Sequence, residues 1–401
     1  MTQLEHLLQL KNDEIVSQPE IFDLSQSLDQ EKLEQLLVQQ HGHQVQDHFL
    51  EQVEELFITR NPVLKMKPNE RARAWKDFQD TIEKQHPLWQ EGRWVWLPWR
   101  QTLVHVLAPE EYYELRSSRN KNLITEREQE RLRNFEIGIA GMSVGNSVAI
   151  ALTLEGAEHL RLTDFDVLGV SNLNRLRASI SDIGQNKTIM TARQIYEINP
   201  YAELRLLVNG LKDETTVEEF LNEKTSLQVF VDEMDDVGMK LRLRELARAK
   251  RIPVLSVADN GDNVIVDVER FDHEPDRPLY HGTIGNVTPE SVKTMGFGQR
   301  LELINTMVGV EKVTKRMKES LLQIGKTLTT WPQLGGTAMM AGAAVAYLVK
   351  RLALDEPLAS GKYEINLDRI FTPGYDEPLA QSKRDAHTQD FLDRQRKLFL
   401  R

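Results

Sequence analysis

A short glycine turn and an acidic residue carry the clearest chemistry in the sequence. The apolar run Ile137-Gly-Ile-Ala140 stops at Gly141-Met-Ser-Val-Gly145, and a second apolar run begins at Ser147. This order predicts a buried strand, a tight turn and a buried helix. The first N–H groups of that helix and its dipole favour a phosphate near Gly145. Asp164 follows the turn at a sequence separation from which an acidic residue can reach a ribose hydroxyl. The pattern therefore predicts nucleotide binding.

The segments around this turn predict the elements that would position it. Leu160-Arg-Leu-Thr163 is expected to be a second strand, and the apolar start of Val229–Asp236 a third. A predicted helix over 238–250 leads to two further strands, Ile252–Val257 and Asn263–Val268. Strands that alternate with helices are typical of a mostly parallel α/β sheet.

Four motifs after the first strand narrow the class of nucleotide site. In chain order they are Asp164-Phe-Asp166, Ser171-Asn-Leu-Asn-Arg175, Asp182-Ile-Gly-Gln-Asn-Lys187 and Glu197-Ile-Asn-Pro200. Together they resemble the ThiF/MoeB/HesA family, within the ubiquitin-activating adenylyltransferase superfamily. The resemblance covers residues 115–270 well and implies an α/β fold with a Rossmann-like, mostly parallel sheet of the ThiF/MoeB type.

The resemblance implies an MgATP site. It assigns the nucleotide to the glycine loop, the acidic ribose residue and the polar side chains of the motifs, namely Gly141, Ser143, Gly145, Asp164, Ser171, Asn172, Asn174, Arg175 and Lys187. Arg175 and Lys187 would supply the cations for the triphosphate. Asp235 stands at the family's Thr-Asp-Asn position and would be the Mg²⁺ carboxylate. Two structural alternatives stay open: Asp235 and Asp236 could cap the helix over 238–250, and Arg175 could be a surface ion pair.

Leu115-Arg-Ser-Ser-Arg-Asn120 is similar to the Arg-x-x-Arg-Gln segment of the family. In the family the second arginine of that segment reaches the ATP phosphates of the partner subunit. The resemblance therefore implies a homodimer in which Arg119 acts catalytically across the interface, supported by Arg116. The alternative is a charged linker.

Two features depart from the family pattern. The usual Gly-x-Gly-Gly-x-Gly loop is shortened to Gly141–Gly145, with Ser143 in place of a glycine. The chain also has no cysteine, so it lacks zinc-binding Cys-x-x-Cys pairs and a thiol for a thioester step. The expected reaction is adenylation of a carboxylate or amide-type oxygen with release of pyrophosphate. A ubiquitin-like or sulfur-carrier-like protein, a modified tRNA base and a small acid all remain possible substrates.

Composition predicts the organisation of the chain. Its 401 residues carry a net charge of −11, which argues against a broad nucleic-acid surface. We expect a helical domain with a tryptophan-rich hairpin over 1–110, an adenylyltransferase domain over 111–375 and a helical tail over 376–401. No signal peptide or membrane-length apolar run is found, which predicts a cytoplasmic protein without membrane contact.

The sequence after the predicted sheet is less regular. Residues 281–305 are rich in Gly, Thr, Asn and Pro and show no periodicity, and the resemblance implies a loop that crosses the substrate there. Helices are predicted over 310–324, over the small-residue stretch 335–349 and over 384–401. The alternation in 362–370 predicts a late strand.

Other interpretations compete with adenylation. A NAD-dependent oxidoreductase needs only Asp164 and the glycine turn, but it leaves Arg175 and Lys187 without a role. A non-catalytic partner of a ubiquitin-like activation system would explain the altered loop and the missing cysteine. His41, His43 and His48 lack a fixed spacing and an acidic fourth ligand, so we do not expect a metal site there.

Overall fold

The computed structural model describes residues 16–39, 42–85, 87–222 and 225–399. The predicted helical region over residues 1–15, His41 and the last two residues of the tail lie outside the described residues. The chain forms two compact units. The first runs to Thr125 and takes in Tyr196–Tyr201, and the second comprises Glu126–Ile195 and the chain from Ala202 onward.

In the described part of the first unit, four strands form a sheet in the order β1-β3-β4-β2. The bounds are β1 Glu20–Phe22, α1 Ser27–Gln39, β2 Gln44–Asp47, α2 Phe49–Arg60, α3 Pro68–Gln85, β3 Arg93–Leu97, β4 Thr102–Val106 and α4 Pro109–Ser117. Strands β3 and β4 pair antiparallel and form the hairpin that the tryptophan-rich tract predicted. Strand β2 pairs in parallel with β4, so this unit contains more sheet than the predicted hairpin. Such non-local pairing leaves no local periodic signal.

The second unit contains the expected α/β sheet. Its strands are β5 Ile137–Ala140, β6 His159–Thr163, β7 Glu203–Leu207, β8 Val229–Asp232, β9 Val254–Asn260, β10 Asn263–Glu269 and β11 Gly361–Ile365. The helices that lie in it wholly or for most of their length are α5 Glu126–Arg133, α6 Val144–Glu155, α7 Lys187–Ile198, α8 Glu214–Asn222, α9 Val237–Ala249, α10 Pro289–Thr294, α11 Phe297–Val308, α12 Lys315–Leu321, α13 Gly335–Ala353, α14 Leu367–Phe371 and α15 Pro378–Phe399.

The sheet order of these described strands is β11-β10-β9-β8-β5-β6-β7. Strands β5 to β9 run parallel, whereas β10 and β11 add antiparallel pairs at one side. The chain builds outward from β5 through β6 and β7, and then returns to the other side of β5 with β8. This reversal is a topological switch point, and ligands of parallel α/β sheets bind outside the carboxyl ends of the strands there.

The small-residue helix α13 packs directly on α6 and on β9 and β10. A Cβ at Gly342 would lie 2.6 Å from the carbonyl oxygen of Ser147, so the two helix backbones touch. Further along both helices, Lys350 Nζ donates to Glu155 Oε2 at 2.8 Å. The two helices therefore run parallel and begin at the same edge of the sheet.

The structure corrects several predicted elements. The stretch 281–305 contains α10 and most of α11, because Thr288 and Gly296 start short helices inside a Gly- and Thr-rich composition. The helix predicted over 310–324 is reduced to a 3₁₀ turn and α12. The strand predicted over 362–370 ends at Ile365, because Asn366 accepts from the Arg369 N–H and caps α14. No helix of the described chain combines the length and the apolar character needed to cross a bilayer.

Candidate functional site

The turn after β5 requires glycine. Gly141 has a φ of +92°, and a Cβ there would lie 2.3 Å from the carbonyl oxygen of Glu233. The turn therefore lies in backbone contact with the loop after β8. A side chain at position 141 would not fit between the two segments. In the first turn of α6, a Cβ at Gly145 would lie 2.9 Å from Cγ2 of Ile139. Both glycines hold the start of α6 close to the carboxyl edge of the sheet.

The N-terminus of α6 faces the switch point between β5 and β8. Ser143 is its N-cap residue, but its hydroxyl caps no N–H group of the helix. The Ser143 Oγ instead accepts a hydrogen bond from Arg175 Nε at 3.1 Å. The unsatisfied N–H groups of a first helical turn, together with the dipole, favour a negatively charged ligand.

Arg175 brings a positive charge to this helix terminus. Its Nη1 donates to Asn174 Oδ1 at 2.9 Å and to the Ser171 carbonyl oxygen at 3.3 Å. Burial lowers the pKa of Arg175, while the negative charges of Asp259 and Asp235 act in the opposite direction. Arg175 makes no direct ion pair with any described residue, so the surface-ion-pair alternative is wrong. Its guanidinium is available to an anion.

The polar residues before Arg175 mostly stabilise their own loop. Asn172 Oδ1 accepts from the Gly169 N–H at 2.9 Å. Asn174 Nδ2 donates to the carbonyl oxygen of Gln333 at 2.7 Å. Ser171 is exposed. The sequence assigned all three side chains to the nucleotide, and that assignment stays a prediction.

Asp164 links the end of β6 to the glycine turn. Its Oδ2 accepts from the Met142 N–H at 2.7 Å, and its Oδ1 accepts from the Asp166 N–H at 2.8 Å. Burial raises the pKa of the Asp164 carboxyl, and the two backbone hydrogen bonds partly oppose that effect. Each oxygen keeps a lone pair, so the predicted ribose contact remains chemically feasible.

Lys187 lies at the start of α7 and is paired with a motif residue. Its Nζ donates to Asp166 Oδ2 at 2.8 Å, and its own N–H donates to the Asp166 carbonyl oxygen at 2.9 Å. The Lys187 side chain is buried, whereas that of Asp166 is half exposed. A phosphate would therefore have to share this lysine with Asp166.

The structure separates the roles of the two acids after β8. Asp236 Oδ1 accepts from the Met239 N–H at 2.7 Å and caps α9, so the capping alternative holds for Asp236. Asp235 is exposed and makes no side-chain hydrogen bond with the described residues. Asp235 is therefore the acid of the pair that can bind a ligand.

Asp235 lines a cavity of about 790 Å³ within the second unit. Its walls come from the segment after β7, the start of α9, and helices α10 and α11. Its charged lining is mixed, because four basic residues stand beside five acidic ones: Lys212, Arg242, Lys293 and Arg300 with Asp213, Glu214, Asp235, Asp236 and Glu290. The residues that sequence analysis could not assign, in α10 and α11, thus form one wall beside the predicted metal carboxylate.

Asp259 was missed by the sequence analysis. It lies near the end of β9, only 4% exposed, and its Oδ2 accepts from Gln333 Nε2 at 2.9 Å. Its Oδ1 is buried and has no hydrogen-bond partner among the described residues. Burial raises the pKa of this carboxyl. The sequence signal that could have identified Asp259 is an acidic residue near the end of the mostly apolar strand Val254–Asn260.

Arg119 lies in the first unit, whereas the other predicted site residues lie in the second. It occupies a 3₁₀ turn, Ser118–Asn120, where its side chain is exposed. It makes no side-chain hydrogen bond or ion pair with the described residues. Its predicted role on a partner subunit stays a prediction.

The model of the ThiF family matches residues 117–367, which is more than half of the chain. The chain belongs to the ThiF family. This membership agrees with the switch point, the glycine turn and the motif residues around Arg175. It confirms the family that the four sequence motifs indicated.

Two curated relatives show the extent of the similarity. An uncharacterized protein of Mycobacterium tuberculosis, MT1398, is 37% identical over 286 residues, covering 70% of this chain and 39% of that protein. The tRNA threonylcarbamoyladenosine dehydratase of Bacillus subtilis is 30% identical over 141 residues, covering 35% of this chain and 54% of the enzyme. The chain thus spans less than two thirds of the length of either relative. Among solved structures, Escherichia coli MccB with AMPCPP and MccA matches with a TM-score of 0.44 and 18% identity, covering 63% of this chain and 68% of that one.

Proposed function

We propose that this ThiF-family chain is an ATP-dependent adenylyltransferase. The observation that carries the proposal is the hydrogen bond from Arg175 to Ser143, which holds at the N-terminus of α6 a guanidinium that makes no ion pair with the described residues. A cation and a helix N-terminus at a switch point form a site for a polyphosphate. Asp235 lies in the loop after β8, on the other side of the same switch point.

The choice of ATP over a dinucleotide rests on charge. Arg175 and Lys187 supply two cations, which suit a triphosphate better than the bridging pyrophosphate of NAD. The cavity beside Asp235 has a mixed charged lining and an apolar wall that suits a nucleobase. A dinucleotide oxidoreductase would leave Arg175 and Lys187 without a function at the nucleotide.

In the proposed reaction a substrate oxygen attacks the α-phosphorus of ATP. The new O–P bond gives an adenylate, the bond from the α-phosphorus to the bridging oxygen breaks, and pyrophosphate leaves with that electron pair. Arg175 neutralises the charge that develops, and the backbone N–H groups at the start of α6 orient the phosphates. No residue of the chain forms a covalent intermediate in this step.

A divalent cation fits the acids that the site presents. Asp235 is exposed at the cavity and has no competing side-chain hydrogen bond in the described chain. Mg²⁺ usually takes one or two carboxylates together with phosphate oxygens, so Asp235 would hold it. When bound, Mg²⁺ would neutralise phosphate charge and favour pyrophosphate as a leaving group.

The adenylate cannot be passed to a thiol of this chain, because the chain has no cysteine. It would be released, attacked by a bound nucleophile, or passed to another protein. The substrate is a carboxylate or amide-type oxygen on a small molecule, a tRNA base or the terminus of a small protein. The tRNA dehydratase among the relatives supports a tRNA base as the substrate.

We also propose a homodimer in which Arg119 completes the site of the partner subunit. The support is its exposed position, without hydrogen bonds or ion pairs among the described residues, on a segment similar to the family's arginine motif. A cation supplied in this way would act on the departing pyrophosphate.

Calorimetric titration with ATP and with NAD, each with and without Mg²⁺, tests the proposal. We expect ATP to bind and NAD to bind at least tenfold more weakly. ATP–pyrophosphate exchange in the presence of candidate substrates then separates an enzyme from a non-catalytic partner. Preferential binding of NAD would favour the oxidoreductase, and ATP binding without exchange for any substrate would favour the non-catalytic partner.

A further inference from the structure

Asp259 lies on the face of the sheet that α13 covers. In β9 the side chains of Leu255, Val257 and Asp259 share one face, because residues two apart along a strand point the same way. Leu255 and Val257 are buried apolar residues, so Asp259 ends a hydrophobic row with a carboxylate. Such a position is costly for a charge unless a partner compensates it.

The described residues compensate only one of its two oxygens. Gln333, just before α13, donates to Oδ2 at 2.9 Å, whereas the buried Oδ1 receives no hydrogen bond. Native structures satisfy most buried polar atoms, so an exception of this kind points to a ligand or to a functional role. An oxygen of a carboxylate is an acceptor, and the missing ligand must be a donor or a cation.

The surroundings of Asp259 belong to the proposed phosphate site. Gln333 also accepts from Asn174 through its carbonyl oxygen, which connects Asp259 to the loop that carries Arg175. Arg175 is attracted by both Asp259 and Asp235, yet it bonds to Ser143 and not to either acid. When a triphosphate takes up Arg175, both carboxylates lose the positive charge that now offsets them.

We propose that Asp259 is a second carboxylate ligand of the divalent cation that accompanies the triphosphate, together with Asp235. This inference rests on the proposed function, since it requires a polyphosphate at α6. One divalent cation would replace the charge of Arg175, satisfy the free Oδ1 and link β9 to the loop after β8. Mg²⁺ sites with two carboxylates and phosphate oxygens are of this kind.

The experiment compares ATP binding by wild type and Asp259→Asn in EDTA and in Mg²⁺. Without metal, the variant should bind ATP equally or more tightly, because a negative charge near the phosphates has been removed. In saturating Mg²⁺ it should bind at least tenfold more weakly than wild type. The sign of the effect therefore changes with the metal. Asp262→Asn, an exposed acid in the adjacent turn, is the matched control and should behave as wild type in both media.

Direct metal binding provides the second measurement. Electron paramagnetic resonance of Mn²⁺ with the non-hydrolysable analogue AMPCPP should give at least tenfold weaker Mn²⁺ binding for Asp259→Asn and for Asp259→Ala. Two results would overturn the inference: an equal loss of ATP affinity in EDTA and in Mg²⁺, or unchanged Mn²⁺ affinity in both folded variants. A hydrogen-bond donor of the substrate would then be the partner of Oδ1. If wild type binds no ATP in either medium, the proposed function fails first, and this inference fails with it.

Discussion

Arg175 Nε donates to Ser143 Oγ across 3.1 Å, which joins the loop after β6 to the N-cap of α6. The two residues are 32 positions apart in the chain. Nη1 donates to Asn174 and Ser171, so Nη2 is the guanidinium nitrogen without a hydrogen bond to the described residues at the helix terminus.

Replacing Arg175 and Lys187 together with alanine should weaken ATP binding by more than tenfold. Each charge-assisted contact is worth roughly 1.5–3 kcal/mol, and the double variant loses both. Calorimetric titration measures the effect. Arg177→Ala is the control, because the Arg177 side chain is exposed and lies only two positions after Arg175. This substitution should change the ATP affinity less than twofold. Equal losses in the control would mean that general charge, not this site, attracts the nucleotide.

Gly141→Ala should destabilise the second unit much more than Gly184→Ala. Both glycines have positive φ, +92° and +86°, so both variants carry similar backbone strain of about 1–2 kcal/mol. Only position 141 adds a clash, since nothing lies within 4 Å of a Cβ at position 184. We expect a further loss of about 2 kcal/mol in the free energy of unfolding at position 141, measured by urea denaturation. Similar losses in the two variants would show that the contact with Glu233 is not constrained.

Asp235→Asn should abolish ATP–pyrophosphate exchange and leave the unfolding free energy nearly unchanged. Asp236→Asn keeps a capping side chain and should retain exchange with the magnesium dependence of wild type. Asp236→Ala should lower the unfolding free energy by about 1 kcal/mol through loss of the N-cap of α9. Exchange that survives in Asp235→Asn with unchanged magnesium dependence would disprove the assignment of the metal to this residue.

Mixing Arg119→Ala with Asp235→Ala should restore activity if Arg119 acts across a dimer interface. A heterodimer then contains one site with both residues intact. Random exchange at a 1:1 ratio makes half of the dimers heterodimers, so about a quarter of the wild-type exchange rate should return. Each variant alone should remain inactive, and mass spectrometry should confirm subunit exchange. If heterodimers form but remain inactive, Arg119 acts in the site of its own subunit or takes no part in the reaction.

Lys318 should make stability depend on alkaline pH. It is buried in α12, and its Nζ donates to Thr388 Oγ1 at 2.6 Å. Burial lowers its pKa from 10.5 to about 8. Between these values the native protein has lost a proton that the unfolded chain still holds, so stability rises with pH. Relative to Lys318→Met, wild type should gain about 2–3 kcal/mol from pH 8 to 10.5 in denaturation experiments. A constant difference would show that the lysine titrates normally.

Local patterns predicted the nucleotide half of the sheet well. The apolar run before Gly141 and the acid at Asp164 follow from strand and turn chemistry that neighbouring residues determine. The stretch 281–305 could not be predicted, because α10 is short and depends on the Thr288 cap and on packing against α9, while α11 packs against the distant α15. Asp259 could not be assigned either, since its partner Gln333 lies 74 residues away and only the folded sheet brings the two together.

The backbone contact between Gly342 and Ser147 has a mechanical consequence. Without side chains between them, α6 and α13 cannot slide or separate independently at that point. A displacement of α6 by an arriving phosphate would therefore carry α13 with it, and with α13 the preceding Gln333. A phosphate bound at the start of α6 would thus shift Gln333 and, through the hydrogen bond of Gln333, the carboxylate of Asp259.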